Sequence, residues 1–162
     1  MFYTEPFLPV NLSTSELNSC RAIIIFAKKP ANGEVKTRLL PALSEDAATE
    51  LYAAMLQDTL QTIGRLSGIT PFIFFQTSPD GATYFKEMAP ETASYEQHGD
   101  NLGERMKSAF EAVFAKGFSE IAIIGSDSPD LPLEYIYEAF ALLEYEHTDV
   151  VFGPAEDGGA RP

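Results

Sequence analysis

Residues 121–124, Ile-Ala-Ile-Ile, form an unbroken apolar run that passes straight into Gly125-Ser126-Asp127-Ser128-Pro129-Asp130-Leu131-Pro132. A run this short and this purely apolar fits a strand buried on both faces, and therefore the centre of a largely parallel sheet flanked by helices. In open sheets of that kind the ligand lies outside the carboxyl ends of the strands. Asp127 falls there, with Asp130 close behind it in the chain. A carboxylate at that position suits a hard cation such as Mg2+, which combines one or two carboxylates with substrate phosphates. The same Asp-Ser-Pro-Asp string is also a good turn and helix-capping sequence, so this stretch alone leaves both readings open.

The rest of the chain alternates between strand-like and helix-like patterns. Residues 22–27 are a continuous apolar and β-branched run, the first predicted strand, broken by Lys28-Lys29-Pro30-Ala31-Asn32-Gly33. Ser44 reads as an N-cap with Glu45 and Asp46 in the first turn, where the helix dipole favours acids. Ala47, Leu51, Ala54, Met55, Thr62, Ile63 and Leu66 follow at helical spacing, and Gly68 is the expected stop. That phase puts Asp58 on the apolar side, as a rim group or a buried hydrogen-bonding one. A second strand is expected over 69–76, a short helix over 84–88 and a weak strand over 93–97. Asn101 with Glu104 is a capping box opening a helix whose stripe is Leu102, Met106, Ala109, Phe110 and Val113, ended by Gly117. A helix over 133–145 begins after Pro132, and a final strand is expected over 148–152. Residues 1–20, with Pro6, Pro9 and a polar run, read as an N-terminal extension, and 21–162 as one domain. The fold class expected is α/β, a mostly parallel Rossmann-like sheet with helices on both faces.

Composition narrows the function classes. The chain has 162 residues, enough for one domain with a real core. A net charge of −13 argues against a general nucleic-acid or anionic-membrane surface. No apolar run is long enough for a membrane span, and residues 1–20 lack the basic and apolar regions of a secretory signal, so a cytoplasmic location is expected. The single cysteine, Cys20, permits no internal disulfide and no cysteine-based zinc site. The basic residues are unevenly spread: Arg21, Lys28, Lys29, Lys36 and Arg38 are five of the eleven Lys and Arg. A local cationic patch on an acidic protein points to a small anionic ligand such as phosphate. A solvated charge cluster is the plainer explanation.

Three loops carry the chemistry: 28–38, 127–130 and 156–159. Parallel strands would gather them on one sheet edge, with cations on the first loop and carboxylates on the other two, an arrangement able to hold a metal-phosphate group. A P-loop is excluded, because Val35 stands where its second Gly belongs. No G-x-G-x-x-G follows the first strand, and Ala27-Lys28-Lys29 replaces the Asp nucleophile that an aspartyl phosphatase would need there.

Taken together, Ile25-Phe26-Ala27-Lys28-Lys29-Pro30 and Gly33-x-Val35-Lys36-Thr37-Arg38-Leu39 resemble the opening of the DUF2064 family. That family lies within the nucleotide-diphospho-sugar transferases of GT-A fold, and its members are often labelled rSAM/selenodomain-associated glycosyltransferases. Gln97 with Leu102-Gly103-Glu104-Arg105-Met106, the 125–132 segment and Gly153-Pro154-Ala155-Glu156-Asp157-Gly158-Gly159 agree with it in order. The resemblance implies a metal-dependent glycosyl or nucleotidyl transferase using a nucleotide-sugar or nucleoside triphosphate, Mg2+ or Mn2+, and an unknown acceptor. It implies that Ala27, Lys28, Gly33, Lys36 and Arg38 lie along the phosphates. Gln97 and Gly103 would stand at the base, and Asp127 and Asp157 would hold the metal. Asp127, Asp157 and Lys36 are then the expected catalytic residues. The family pattern continues with aromatic and apolar residues where this chain reads Ala160-Arg161-Pro162. The expectation is therefore a missing acceptor-side part, weak nucleotide binding, little turnover and self-association. The alternative is an inactive nucleotide-binding remnant or regulatory module.

Overall fold

A computed structural model of the protein describes residues 20–153. Its strands are β1 (Arg21–Ala27), β2 (Thr70–Phe75), β3 (Ala93–Glu96) and β4 (Glu120–Gly125). Its helices are α1 (Glu45–Ile63), α2 (Gly81–Met88), α3 (Leu102–Phe114) and α4 (Leu133–Leu143). The strands form one parallel sheet in the order β3-β2-β1-β4. Ile24 sits opposite Phe72 on one side and Ile123 on the other, so β1, like β2, is flanked by two strands.

The alternation of side chains along the strands divides the core into two layers. Ile23, Ile25 and Ala27 face Tyr52, Leu56 and Ile63 of α1, Phe85 of α2, and Ile136 and Phe140 of α4. Ala22 and Ile24, with Phe72 and Phe74, face Ala109 and Val113 of α3. Helices on both faces explain why β1 has no polar alternation. Ile23, Ile24 and Ile25 are each 0% exposed, and full burial of such a side chain contributes about 1.5–3 kcal/mol. The expectation that the 121–124 run is the sheet's centre is corrected: among the described residues β4 pairs only with β1, and its residues are half-buried. An apolar run specifies that the faces of a strand are covered, not how many neighbours it has.

Local signals set the element ends. Ser44 Oγ accepts from the Ala47 N–H at 3.2 Å, starting α1. The helix stops one turn before the expected Gly68: Gly64 is the C-cap, its N–H on the Leu60 carbonyl, while Gly68 (φ +73°) turns the chain into β2. The buried face of α1 is Ala48, Tyr52, Leu56, Thr59 and Ile63, one position out of phase with the sequence expectation. Leu51 and Asp58 are exposed as a result, and Asp58 is neither a rim group nor a buried one. Asn101 Oδ1 accepts from the Glu104 N–H at 3.0 Å, and Glu104 Oε2 reaches back to the Asp100 N–H at 2.8 Å, closing the capping box one residue earlier than the usual partner.

Residues 148–152, expected as a strand, form no ladder, and Val150 and Phe152 are exposed. β-propensity becomes a strand only through a partner, and these residues have none among those described. Helix α4 ends at Leu143 rather than Tyr145. No described helix is long and apolar enough to cross a membrane. Residues 1–19 and 154–162, including Asp157, lie outside the described residues.

Candidate active site

Because all four strands run the same way, the loops that leave β1, β2, β3 and β4 emerge along one edge of the sheet. The loop after β1 is pinned from below by Val35, which is 4% exposed and packed in the core. The next residue, Lys36, takes left-handed backbone (φ 48°) and leads into a short 3₁₀ turn, Thr37–Leu39. Lys36 Nζ lies 3.2 Å from Asp127 Oδ2, in the loop after β4. Arg38 is exposed in the 3₁₀ turn, and Gly33 (φ +75°) faces the Glu45 carboxylate. Lys28 is exposed. Lys29 is engaged elsewhere, its Nζ donating to the Pro79 carbonyl at 2.9 Å.

The cationic patch expected from sequence is thus smaller than its five members. Arg21 lies at the opposite, amino end of β1, paired with Glu120 at 2.7 Å and with Glu144. The hydrogen bond it donates to Glu120, reinforced by both acidic charges against the effect of burial, raises its pKa further. A strand carries a seven-residue run across the sheet, which separates Arg21 from Lys28 although they are near in sequence.

Asp127 is the carboxylate at this edge. Its side chain is 56% exposed, and a Cβ built on Gly125 would stand 2.8 Å from its Oδ1. The missing side chain at 125 therefore makes room for the carboxylate to fold back toward the strand. Asp130 is exposed in the turn ahead of α4. Among the described residues no three His, Cys, Asp or Glu side chains gather as a metal cage. Asp127 fits the single-carboxylate style of Mg2+ site, in which phosphate and water complete the shell.

Ala27 lies beneath this edge rather than on it: its side chain is buried and its carbonyl accepts from the Gln76 N–H at 3.0 Å. Gln97 closes the end of β2, with Nε2 donating to the Phe74 carbonyl and its N–H to the Phe75 carbonyl, each at 2.8 Å. Gly103 is exposed in the first turn of α3, beside the Asn101 side chain. The structure brings Lys36 and Asp127 together; it leaves the Arg38 and Lys28 side chains exposed on the same loop, and Gln97 bound to the sheet.

Three polar residues that the sequence reading passed over lie under the loops. Tyr52 OH is 2.9 Å from the Lys28 N–H, which donates to it, and 2.8 Å from Ser126 Oγ. Thr59 Oγ1 donates to the Met55 carbonyl at 2.9 Å and approaches the Ser126 carbonyl at 3.4 Å. Thr59 and Ser126 are 2% and 4% exposed, and Tyr52 is 5% exposed. Burial raises the Tyr52 phenol pKa, with a smaller contribution from the Asp127 charge, against the lowering effect of its two hydrogen bonds. Their signal in the sequence was the spacing of Tyr52, Leu56, Thr59 and Ile63, a helical stripe carrying two hydroxyls.

The parallel sheet wrapped by helices makes this an α/β protein with the fold of the nucleotide-diphospho-sugar transferases. The chain belongs to the family described as "Uncharacterized protein conserved in bacteria (DUF2064)", whose pattern matches residues 59–159. The fold is shared with the crystal structure of a provisionally assigned nucleotide-diphospho-sugar transferase from Desulfovibrio desulfuricans G20. That match has a TM-score of 0.75 at 36% identity, over 78% of this chain and 55% of that one. Phosphoenolpyruvate guanylyltransferases from Mycobacterium leprae strains Br4923 and TN are each 28% identical over 132 residues, 80% of this chain and 60% of theirs. The chain spans a little over half the length of these relatives.

Proposed function

We propose that the chain is a metal-dependent transferase domain that binds a nucleoside triphosphate or nucleotide-sugar at the carboxyl edge of the sheet and takes part in nucleotidyl or glycosyl transfer. The observation that carries this reading is the Lys36–Asp127 pair, a cation and a carboxylate drawn from two loops to one point, which we read as the phosphate-binding and metal-binding groups. The pair is partly exposed, so it contributes on the order of 0–1 kcal/mol and is easily exchanged for ligand. Lys36 then turns to phosphate, and Arg38 adds a planar fork of donors to it. Lys28 and Gly33 line the same loop. Asp127, with Asp157 from outside the described residues, would hold Mg2+ or Mn2+. When bound, the cation supplies neutralisation of phosphate charge. Gln97 retains its Oε1 as an acceptor for a base N–H, and Gly103, at the start of α3, would stand at the base as well.

Similarity to the phosphoenolpyruvate guanylyltransferases makes GTP the first nucleotide to test and phosphoenolpyruvate the first acceptor. The reading includes a cytoplasmic location, where both would be supplied. The test is a thermal-shift series with GTP, other nucleoside triphosphates and nucleotide-sugars, with and without Mn2+, since a ligand that binds only the folded state raises the melting temperature. Metal-dependent stabilisation by one nucleotide is the expected result. No stabilisation by any of them overturns the reading. A turnover assay with phosphoenolpyruvate then separates the transferase from a nucleotide-binding module without activity.

A further inference from the structure

We propose that Tyr52 is a positioning residue for this site: its hydroxyl ties the first peptide after β1 to Ser126, and so sets the placement of Lys36 relative to Asp127. The proposal rests on the functional reading above for what is being positioned, and on the geometry alone for the tie. Tyr52 OH touches Lys28, where the cationic loop leaves β1, and Ser126, the residue before Asp127. Ser126 is held on its other sides as well: its N–H donates to the Phe26 carbonyl at 3.0 Å, and its carbonyl faces Thr59 Oγ1 at 3.4 Å.

The cluster is unusual for its place in the core. Thr59 and Ser126 are the buried polar residues of the described chain, and both belong to it. A buried hydroxyl costs free energy unless it is hydrogen-bonded, and a core of aliphatic residues could fill the same volume without that requirement. Tyr52 is also the point where α1 meets two strand exits, so a shift of the helix is passed to both loops together. A phenol on a two-torsion side chain suits this task, because its ring packs against Leu56-side core atoms while the single hydroxyl reaches the loops.

The test uses the full chain and two readouts. Backbone amide spectra of the ligand-free protein report the tie: Tyr52→Phe should shift the Lys28, Lys36, Ser126 and Asp127 signals and speed exchange of the Lys28 N–H. Titration with Mn2+–GTP and with guanosine reports the consequence. Tyr52→Phe is expected to weaken Mn2+–GTP about ten-fold, the loss of roughly one good hydrogen bond, with guanosine unchanged. Ser126→Ala should give the same loss, and the double variant no more than either, because the two act through one contact. If Tyr52→Phe does not fold, Ser126→Ala carries both readouts. Parent-like Mn2+–GTP affinity in the variants overturns the proposal, as does an equal loss for guanosine, which marks general destabilisation. If the parent itself does not bind Mn2+–GTP, it is the functional reading that fails. The amide readout then decides alone: unmoved Lys36 and Asp127 signals in Tyr52→Phe overturn the tie.

Discussion

Lys36 Nζ stands 3.2 Å from Asp127 Oδ2, joining two loops whose residues are 91 positions apart in the chain. Each group partly neutralises the other, and on the proposed reading both would change partner when a metal–phosphate group binds. The carboxylate is the half of this pair that phosphate cannot replace.

Asp127→Asn is therefore expected to abolish the extra stabilisation that Mn2+ gives to GTP-bound protein while leaving the unliganded melting point nearly unchanged. The side chain is 56% exposed, and substitutions at such positions cost within about 0.5 kcal/mol. Scanning calorimetry with GTP, with and without Mn2+, measures both quantities. A variant that still shows the full Mn2+ increment would remove Asp127 from the metal site.

Lys36→Ala and Arg38→Ala should weaken GTP more than guanosine, each by about 1.5–3 kcal/mol for the triphosphate if a charge-assisted contact is lost. Isothermal titration of the two ligands separates the phosphate contribution from that of the base. Equal losses for both ligands would assign these residues to loop structure, and no loss for either would return them to a solvated surface cluster.

Much of this site was legible before any coordinates. Strand–helix alternation gave the parallel sheet, and parallel strands put the 28–38 and 127–130 loops on one edge, but the approach of Lys36 to Asp127 within that edge was not specified by topology. Strand order did not follow, because Ile121–Ile124 and Ile23–Ile25 look alike in sequence, while among the described residues β1 has two neighbours and β4 has one. Arg21 was misplaced with the other cations because proximity in sequence ignores the length of a strand. Tyr52 was missed through helix phase: taking Leu51 as the inward position turned the hydroxyl-bearing stripe to solvent, and tertiary packing chose the other face. Gln97 was singled out through the family resemblance alone, and its bond to the Phe74 carbonyl depends on strand ends that no spacing specifies.

Two glycines should respond in opposite ways to alanine. At Gly125 the new Cβ would meet Asp127 Oδ1 at 2.8 Å, the far end of a movable side chain. Gly125→Ala is expected to displace the carboxylate and reduce Mn2+-dependent GTP binding with a small change in melting temperature. At Gly99 the backbone φ is +137°, and the new Cβ would lie 2.8 Å from the Arg105 backbone nitrogen. Gly99→Ala should therefore destabilise the fold by about 1–3 kcal/mol, since neither the backbone nor the capped start of α3 can yield cheaply. Urea denaturation of both variants, alongside metal titration, distinguishes the two effects; a stable Gly99→Ala would show that this turn relaxes.

The Tyr52 phenol makes stability depend on alkaline pH in a stated direction. Burial, more than the nearby Asp127 charge, raises its pKa above the ordinary 10.0. The folded chain then keeps the phenolic proton at a pH where the unfolded chain has released it. Unfolding is favoured wherever the unfolded state binds fewer protons, so stability falls as pH rises. The contribution of the neutral, hydrogen-bonded phenol is complete below the unfolded pKa and is lost as pH climbs through the raised folded value. Tyr84, whose pKa is raised by burial first and by the Tyr52 charge second, contributes in the same sense, and substitution at 52 removes only the second of these causes. Urea unfolding of the parent and of Tyr52→Phe, compared from neutral pH to about one unit above the tyrosine range near 10, should show the parent losing more stability than the variant over the alkaline part alone. Parallel curves for the two proteins would mean that the phenol is no harder to ionise in the folded chain than in water, and would overturn the claim that burial outweighs its two hydrogen bonds.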